Sequence, residues 1–397
     1  MKRVYFAAGE TFHLLWRELI QYPPDGYEFI VNKKMERKEK LPAGRKLSRS
    51  VSYAHVLPYI AYFWWWYKWY SRASYEKRPS DVDLTYSAHS LILRNEPWVV
   101  SLEHVGDLCP VRYDIRHLRL YRSLIEKVLS SKYCKKIMPW LDSGKKTLLL
   151  NLNCERFKGK IETVHLAVHP KKFVKKRKKD KVRLLFIGTA NISNVPDTFV
   201  VRGGKEVLEA FAILNKKYDD LELIVRSYIP PDIRSRYSEI LKSKNVRIID
   251  EILPWKQFEQ LFTSSDMLLF PGHLTPALTI LDAMSYEFPV IATDVWGTPE
   301  MVQDGKTGFL IEKSRNVPYY VKNFIPSYGY ISRRAFEYVD PRVVRELADK
   351  TSILIENETL RHRMGLAGRR EIETGKFSIK RRNEKLKKIF DEAIKNG

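Results

Sequence analysis

The stretch from Ser264 to Leu310, SSDMLLFPGHLTPALTILDAMSYEFPVIATDVWGTPEMVQDGKTGFL, leaves this chain the fewest choices of fold. An apolar run, Met267 to Phe270, is closed by Pro271-Gly272. Beyond the next loop, Leu278, Leu281, Ala283 and Met284 fall on one side of a helix. A second apolar run, Pro289 to Ala292, follows at once, and Asp294 to Gly297 turn the chain away. The order is β-α-β, with a right-handed crossover expected. Parallel strands need helices over their faces, so the class is α/β. In such units the loop after a strand faces the crevice where ligands bind. Free N–H groups around Thr275, Ala277 and Leu278, with the positive end of the helix dipole, suit a pyrophosphate. Asp282 lies deeper in the helix. It either reaches the vicinal hydroxyls of a ribose or solvates an exposed face, and spacing alone favours the second.

The stretch resembles the donor-binding core of the retaining glycosyltransferases of the GT-B fold, family 4. The resemblance rests on Asp282-Ala283-Met284-Ser285, Phe288 to Asp294, Gly297-Thr298-Pro299-Glu300 and Asp304 to Gly308. It implies two facing Rossmann-like domains with parallel sheets, an active cleft between them, and a C-terminal helix that crosses back to the first domain. It implies a nucleotide sugar (UDP- or GDP-linked) as co-substrate, Asp282 on the ribose and transfer with retention; no cofactor is required and Mg2+ is not indicated. The family pairs two glutamates. Here the second is Asp282 and the first, which contacts the donor sugar, falls on Leu274.

At 397 residues the chain is long enough for two domains, read as 1–176 and 177–397. Three scattered cysteines, Cys109, Cys134 and Cys154, form neither a disulfide framework nor a zinc spacing, which points to a reducing compartment. Met1-Lys2-Arg3 runs straight into a strand pattern, Val4 to Ala8, so no signal peptide is expected and the cytoplasm is the expected location. Seventy basic against 47 acidic residues give a net charge of +23, a surface suited to nucleic acid, anionic lipid or nucleotide diphosphates.

In the N-terminal half, Gly9 follows the first strand and is either a plain turn or, as the resemblance implies, a close approach to the donor pyrophosphate. A basic stretch, Lys33 to Arg49, precedes the aromatic run Tyr59 to Tyr70 with Trp64-Trp65-Trp66. That run is too short to span a bilayer. Docking on an anionic membrane surface ranks first for it, burial second and nucleic-acid stacking third. Asp81-Val82-Asp83 reads as the polar end of a connection rather than a metal motif. Strands are expected at Leu84 to Ser87, Trp98 to Leu102, Cys134 to Trp140 and Ile161 to Val168. His104, just past the second of these, sits where the family places a histidine on the donor sugar. No metal-ligand spacing joins His165, His169 and Cys154.

A basic segment, Lys171 to Arg183, joins the halves, and Val182 to Gly188 restarts as a buried strand. Arg202-Gly203-Gly204-Lys205 then opens a helix. Cations there oppose the helix dipole, so an anion is the natural reason for them. The resemblance gives Arg202 and Lys205 the leaving diphosphate, while the family's other arginine is Thr189 here. Arg226, at the end of Leu221 to Val225, is a substitute for that missing cation if it reaches the cleft. The resemblance makes the chain a glycosyltransferase; its positive surface suits a lipid-linked or membrane-proximal acceptor and a peripheral place on the inner face of the membrane. An inactive GT-B protein binding nucleotide or a partner, and a basic nucleic-acid-binding protein, are the alternatives from other classes; no nucleic-acid module supports the last.

Overall fold

Apolar runs that the sequence closes with glycine, proline or polar turns become the strands of two parallel sheets. The computed structural model describes residues 1–8, 14–31, 78–109, 115–173, 181–188, 198–275, 277–318, 320–322, 325–326 and 328–395. Gly9, Thr189, the basic stretch Lys33 to Arg49 and the aromatic run Tyr59 to Tyr70 lie outside the described residues.

The first sheet is built from β1 (Lys2–Ala8), β2 (Tyr27–Ile30), β3 (Leu84–Ala88), β4 (Trp98–Leu102) and β5 (Cys134–Pro139), in the order β2-β1-β3-β4-β5. Helices α1 (Leu14–Gln21), α2 (Ile115–Ser130) and α3 (Asp142–Asn151) belong to this half. The second sheet contains β6 (Val182–Ile187), β7 (Leu221–Arg226), β8 (Val246–Ile249), β9 (Met267–Phe270), β10 (Val290–Thr293) and β11 (Gly308–Ile311). Its order is β11-β10-β9-β6-β7-β8. Strands β9 and β10 are buried along their whole length, which is why they read as unbroken apolar runs. The chain order reverses between β1 and β3 in the first sheet and between β6 and β9 in the second. Those reversals open crevices at the carboxyl ends of the strands.

The second half also carries α4 (Gly204–Lys217), α5 (Trp255–Thr263), α6 (Ala277–Ser285), α7 (Tyr328–Glu337), α8 (Pro341–Glu356), α9 (Glu358–Glu373) and α10 (Ile379–Lys395). Helix α10 returns to the first domain. Its buried Phe390 packs edge-on against Tyr27 and Tyr86 of the first sheet, with ring centroids 5.2 and 6.2 Å apart. Asp391 accepts from Lys2 Nζ and Tyr27 Oη at 2.7 Å each. Arg382 is buried and donates to the carbonyl of Tyr22 at 2.7 Å, just past the end of α1. Burial pushes its guanidinium down to about 10.

Ile161 to Val168 is not the strand that its apolar residues imply. It pairs with β5 only at Ile161, then donates from Glu162 N to Ile137 O and from Val164 N to Pro139 O. Pro139 has no N–H to return the bond, so the ladder stops there. Val164, Leu166 and Val168 are buried instead in a cluster that includes residues of both sheets.

Arg382→Leu leaves the Tyr22 carbonyl with one donor, Asn383 Nδ2 at 3.0 Å, and the loss of the charged one should cost about 1 kcal/mol in urea unfolding. Removing Asp391 from its exposed pairs should cost under ~1 kcal/mol in the same assay.

Candidate active site

The crevice of the second sheet is lined by two loops that the backbone locks together. Gly203 adopts φ +81°, and a Cβ there would collide with the carbonyl of Pro271. Only glycine permits that approach. His273 N donates to Val201 O at 2.8 Å across the same junction. The start of α4 and the β9–α6 loop therefore form one surface at the β6/β9 reversal.

Arg202 lies on this surface. Its Nη1 donates to the Ile187 carbonyl at 3.3 Å and its guanidinium sits 5.8 Å from the Phe270 ring, so it bridges the ends of β6 and β9. Among the described residues no carboxylate pairs with it, and burial pushes its pKa down. A desolvated cation of this kind gains from an incoming anion. The first N–H groups of α6, at Ala277 and Leu278, lack intrahelical acceptors by helix geometry, and Thr275 stands in the loop just before them.

The Thr275 hydroxyl organises the neighbouring loop. It donates to Val295 O at 3.1 Å, accepts from Gly297 N at 3.3 Å and lies 3.3 Å from Thr298 Oγ1. Thr293, ending β10, donates to the Gly272 carbonyl.

Asp282 faces the junction of the two domains, near Lys171 of the connecting segment, Glu18 of α1 and Glu259 of α5. Burial pushes its carboxyl up to about 7, against the pull of Lys171. Lys171 Nζ is 3.6 Å from Glu18.

Two expected cations are elsewhere. Lys205 is fully buried and donates from Nζ to the Phe336 carbonyl at 2.8 Å, near the C-terminus of α7. The reason is register: the helix starts at Gly204, which turns Lys205 towards α7 and a terminus where cations are favoured. Arg226 is also fully buried, 5.9 Å from the Phe258 ring, with Asp250 and Glu251 nearby and its guanidinium pushed down to about 10 by burial. It serves the β8 side of the sheet and presents no exposed cation to the diphosphate loop.

His104 is fully buried at the start of the helical turn 105–108. Its Nδ1 accepts from Gly106 N at 2.9 Å, and its ring lies edge-on to Trp296 of the opposite domain, centroids 6.2 Å apart. Beside it, Asp107 accepts from Glu103 N at 2.7 Å and His104 N at 3.0 Å and pairs with His89 Nδ1 at 2.9 Å. His89 was not singled out from the sequence. It follows β3 directly, at the reversal of the first sheet, and has φ +66°. The logic that marks His104, a histidine just past a parallel strand, also marks His89.

The domains meet through the β10–β11 connection. Glu300 accepts from Asp142 N at 2.7 Å and Ser143 N at 2.8 Å, so a carboxylate of one domain caps helix α3 of the other. Gly297 lets this connection close on Leu141, because a Cβ there would strike the leucine side chain. Among the described residues no group of three or more His, Cys, Asp or Glu is arranged to hold a metal ion.

Residues 190–322 match a family model described as glycosyl transferases group 1. The capsular polysaccharide biosynthesis glycosyltransferase CapM of Staphylococcus aureus is 24% identical over 200 residues, 49% of this chain and 44% of that one. Alpha-maltose-1-phosphate synthase of Mycolicibacterium smegmatis is 27% identical over 120 residues, 28% of this chain and 31% of that one. The chain thus spans less than half the length of the curated relatives it matches. Two solved structures align over nearly everything. A glycosyltransferase from Rickettsia africae ESF-5 superposes with TM-score 0.60 at 16% identity, covering 100% of this chain and 99% of that one. Alr3699/HepE of Anabaena, in complex with UDP and glucose, does so with TM-score 0.59 at 12% identity, covering 98% of each. The architecture is the α/β, two-domain GT-B fold.

Asp282 supplies a pH signature. Its folded pKa, about 7, exceeds the ordinary 3.8, so its contribution to stability declines as pH rises from about 4 through about 7. Asp282→Asn should raise the melting temperature at pH 8, by an amount on the order of 1 kcal/mol in stability, with the gain shrinking at pH 5.

Proposed function

We propose that the chain is a retaining glycosyltransferase that moves a sugar from a UDP- or GDP-sugar to an acceptor. It works in the cleft between an acceptor-side domain, 1–176, and a donor-binding domain, 177–397. One observation carries the reading: the desolvated Arg202 guanidinium shares the β6/β9 reversal with the open N-terminus of α6. The match to group 1 glycosyltransferases over 190–322 supports it.

In this reading the donor diphosphate lies between Arg202 and the N–H groups from Thr275 to Leu278, with Asp282 on the ribose. The resemblance also assigns Gly9, outside the described residues, to the pyrophosphate. As the glycosidic bond breaks, the departing diphosphate gains negative charge. A cation and dipoles already aimed at it stabilise that state more than the ground state. The donor phosphate accepts the acceptor's proton, so no protein base is required. Lys205 and Arg226 act indirectly, by fixing α4 and the β7–β8 edge.

A second reading, an inactive GT-B protein that binds nucleotide or a partner, is favoured by Leu274. Its side chain packs against the core of the second domain where the family has an acid. Transfer or hydrolysis of a donor by the purified chain excludes that reading.

A thermal-shift panel of UDP, GDP, ADP and their sugar conjugates tests nucleotide binding, and no shift with any of them overturns the main proposal. With the responding donor, Arg202→Ala should lower kcat by about 10²–10³-fold; a near-normal rate removes Arg202 from the mechanism.

The acceptor is proposed to be lipid-linked, with the basic and aromatic segments docking on an anionic membrane. No helix among the described residues is long and apolar enough to cross a membrane. Replacing Trp64, Trp65 and Trp66 by Ser should abolish sedimentation with anionic liposomes while leaving the melting temperature unchanged. Persistent binding rejects docking through these residues.

A further inference from the structure

Trp296 stands in a backbone conformation that tryptophan avoids. Its φ is +45°, in the left-handed region. For a bulky residue that conformation is strained and persists only where the surroundings enforce it. Here the surroundings are explicit. Val295 and Gly297, the residues on either side, are both held by the Thr275 hydroxyl, at 3.1 and 3.3 Å. Trp296 is thus fixed at the apex of a loop tied to the proposed diphosphate site. Its indole crosses to the other domain and meets His104 edge-on, 6.2 Å between centroids. Of the two rings, the imidazole is fully buried and the indole is partly exposed. The two rings bridge the domains beside the loop that Thr275 holds.

We propose that Trp296 is the sugar platform of the site, a specificity-determining residue whose π-face stacks on the C–H face of the pyranose carried by the nucleotide. The negative face of an aromatic ring attracts such C–H groups, and the indole offers the largest such face of any side chain. His104 is then a positioning residue that holds the indole edge-on. Leu274 leaves the sugar without the family's acid, and a stacking surface recognises a hexose without one. The inference rests on the nucleotide-sugar reading.

The experiment is calorimetric titration of the full chain with UDP, GDP, UDP-glucose and GDP-mannose, using wild type, Trp296→Gly, Trp296→Asn and Trp296→Phe. Glycine and asparagine both tolerate positive φ, so the ligand-free variants should melt no lower than wild type. Their Kd for the diphosphate should stay within about twofold, while the Kd for the preferred conjugate should weaken about tenfold, with phenylalanine recovering most of it. Undiminished conjugate binding in the Gly and Asn variants overturns the platform. Lower melting temperatures with equal losses for diphosphate and conjugate also overturn it, because the indole is then only packing. Wild type that binds neither diphosphates nor conjugates removes the glycosyltransferase reading itself, and the platform with it.

Discussion

The approach of Gly203 to the Pro271 carbonyl is the contact on which the rest of the site depends. It lets the start of α4 press against the β9–α6 loop, and the His273–Val201 backbone bond fixes the distance. Arg202 and the N-terminus of α6 lie on elements separated by more than sixty residues of sequence, yet both point to one crevice. A side chain at 203 would push the loops apart and separate the cation from the helix dipole. In the proposed reading a cation and a helix terminus joined in this way act as one site, because neither has to be ordered when the diphosphate arrives.

Charge placement across the chain follows the same rule of matching partial charges. Lys205 occupies the negative end of α7, Glu300 the positive end of α3, and Arg382 a carbonyl just beyond α1. These charges are spent on the scaffold. Arg202 differs, since among the described residues it meets one carbonyl and one ring. Net positive charge alone therefore says little about where an anion binds.

Much of the scaffold was legible because parallel strands bury both faces and read as apolar runs. Met267–Phe270 and Trp98–Leu102 have the bounds that their sequence implies. Ile161 to Val168 misled, because hydrophobicity marks burial and the missing N–H of Pro139 decides pairing. The side chains were less legible. The direction of Lys205 depends on α7, over a hundred residues away, and that of Arg226 on Phe258. The glycosyltransferase-like run pointed to Thr275, Ala277, Leu278 and Asp282 as neighbours on one loop and helix, and the structure places them so. The sign of φ at Trp296 and His89 has no local signal in the sequence. Positive φ there is imposed by contacts that exist only after folding.

An aromatic side chain anchors each of the two chain passages between the domains. On one, the Lys171 carbonyl accepts from Arg369 at 3.0 Å, and Phe173 lies 5.3 Å beneath the same guanidinium. On the other, Phe377 leads into α10 and its ring centroid is 5.9 Å from that of His165. The Glu300 carboxylate that caps α3 is one of these joints, beside the Trp296 ring on His104 and Gly297 on Leu141, so the cleft is closed at this end by several small contacts from a single loop.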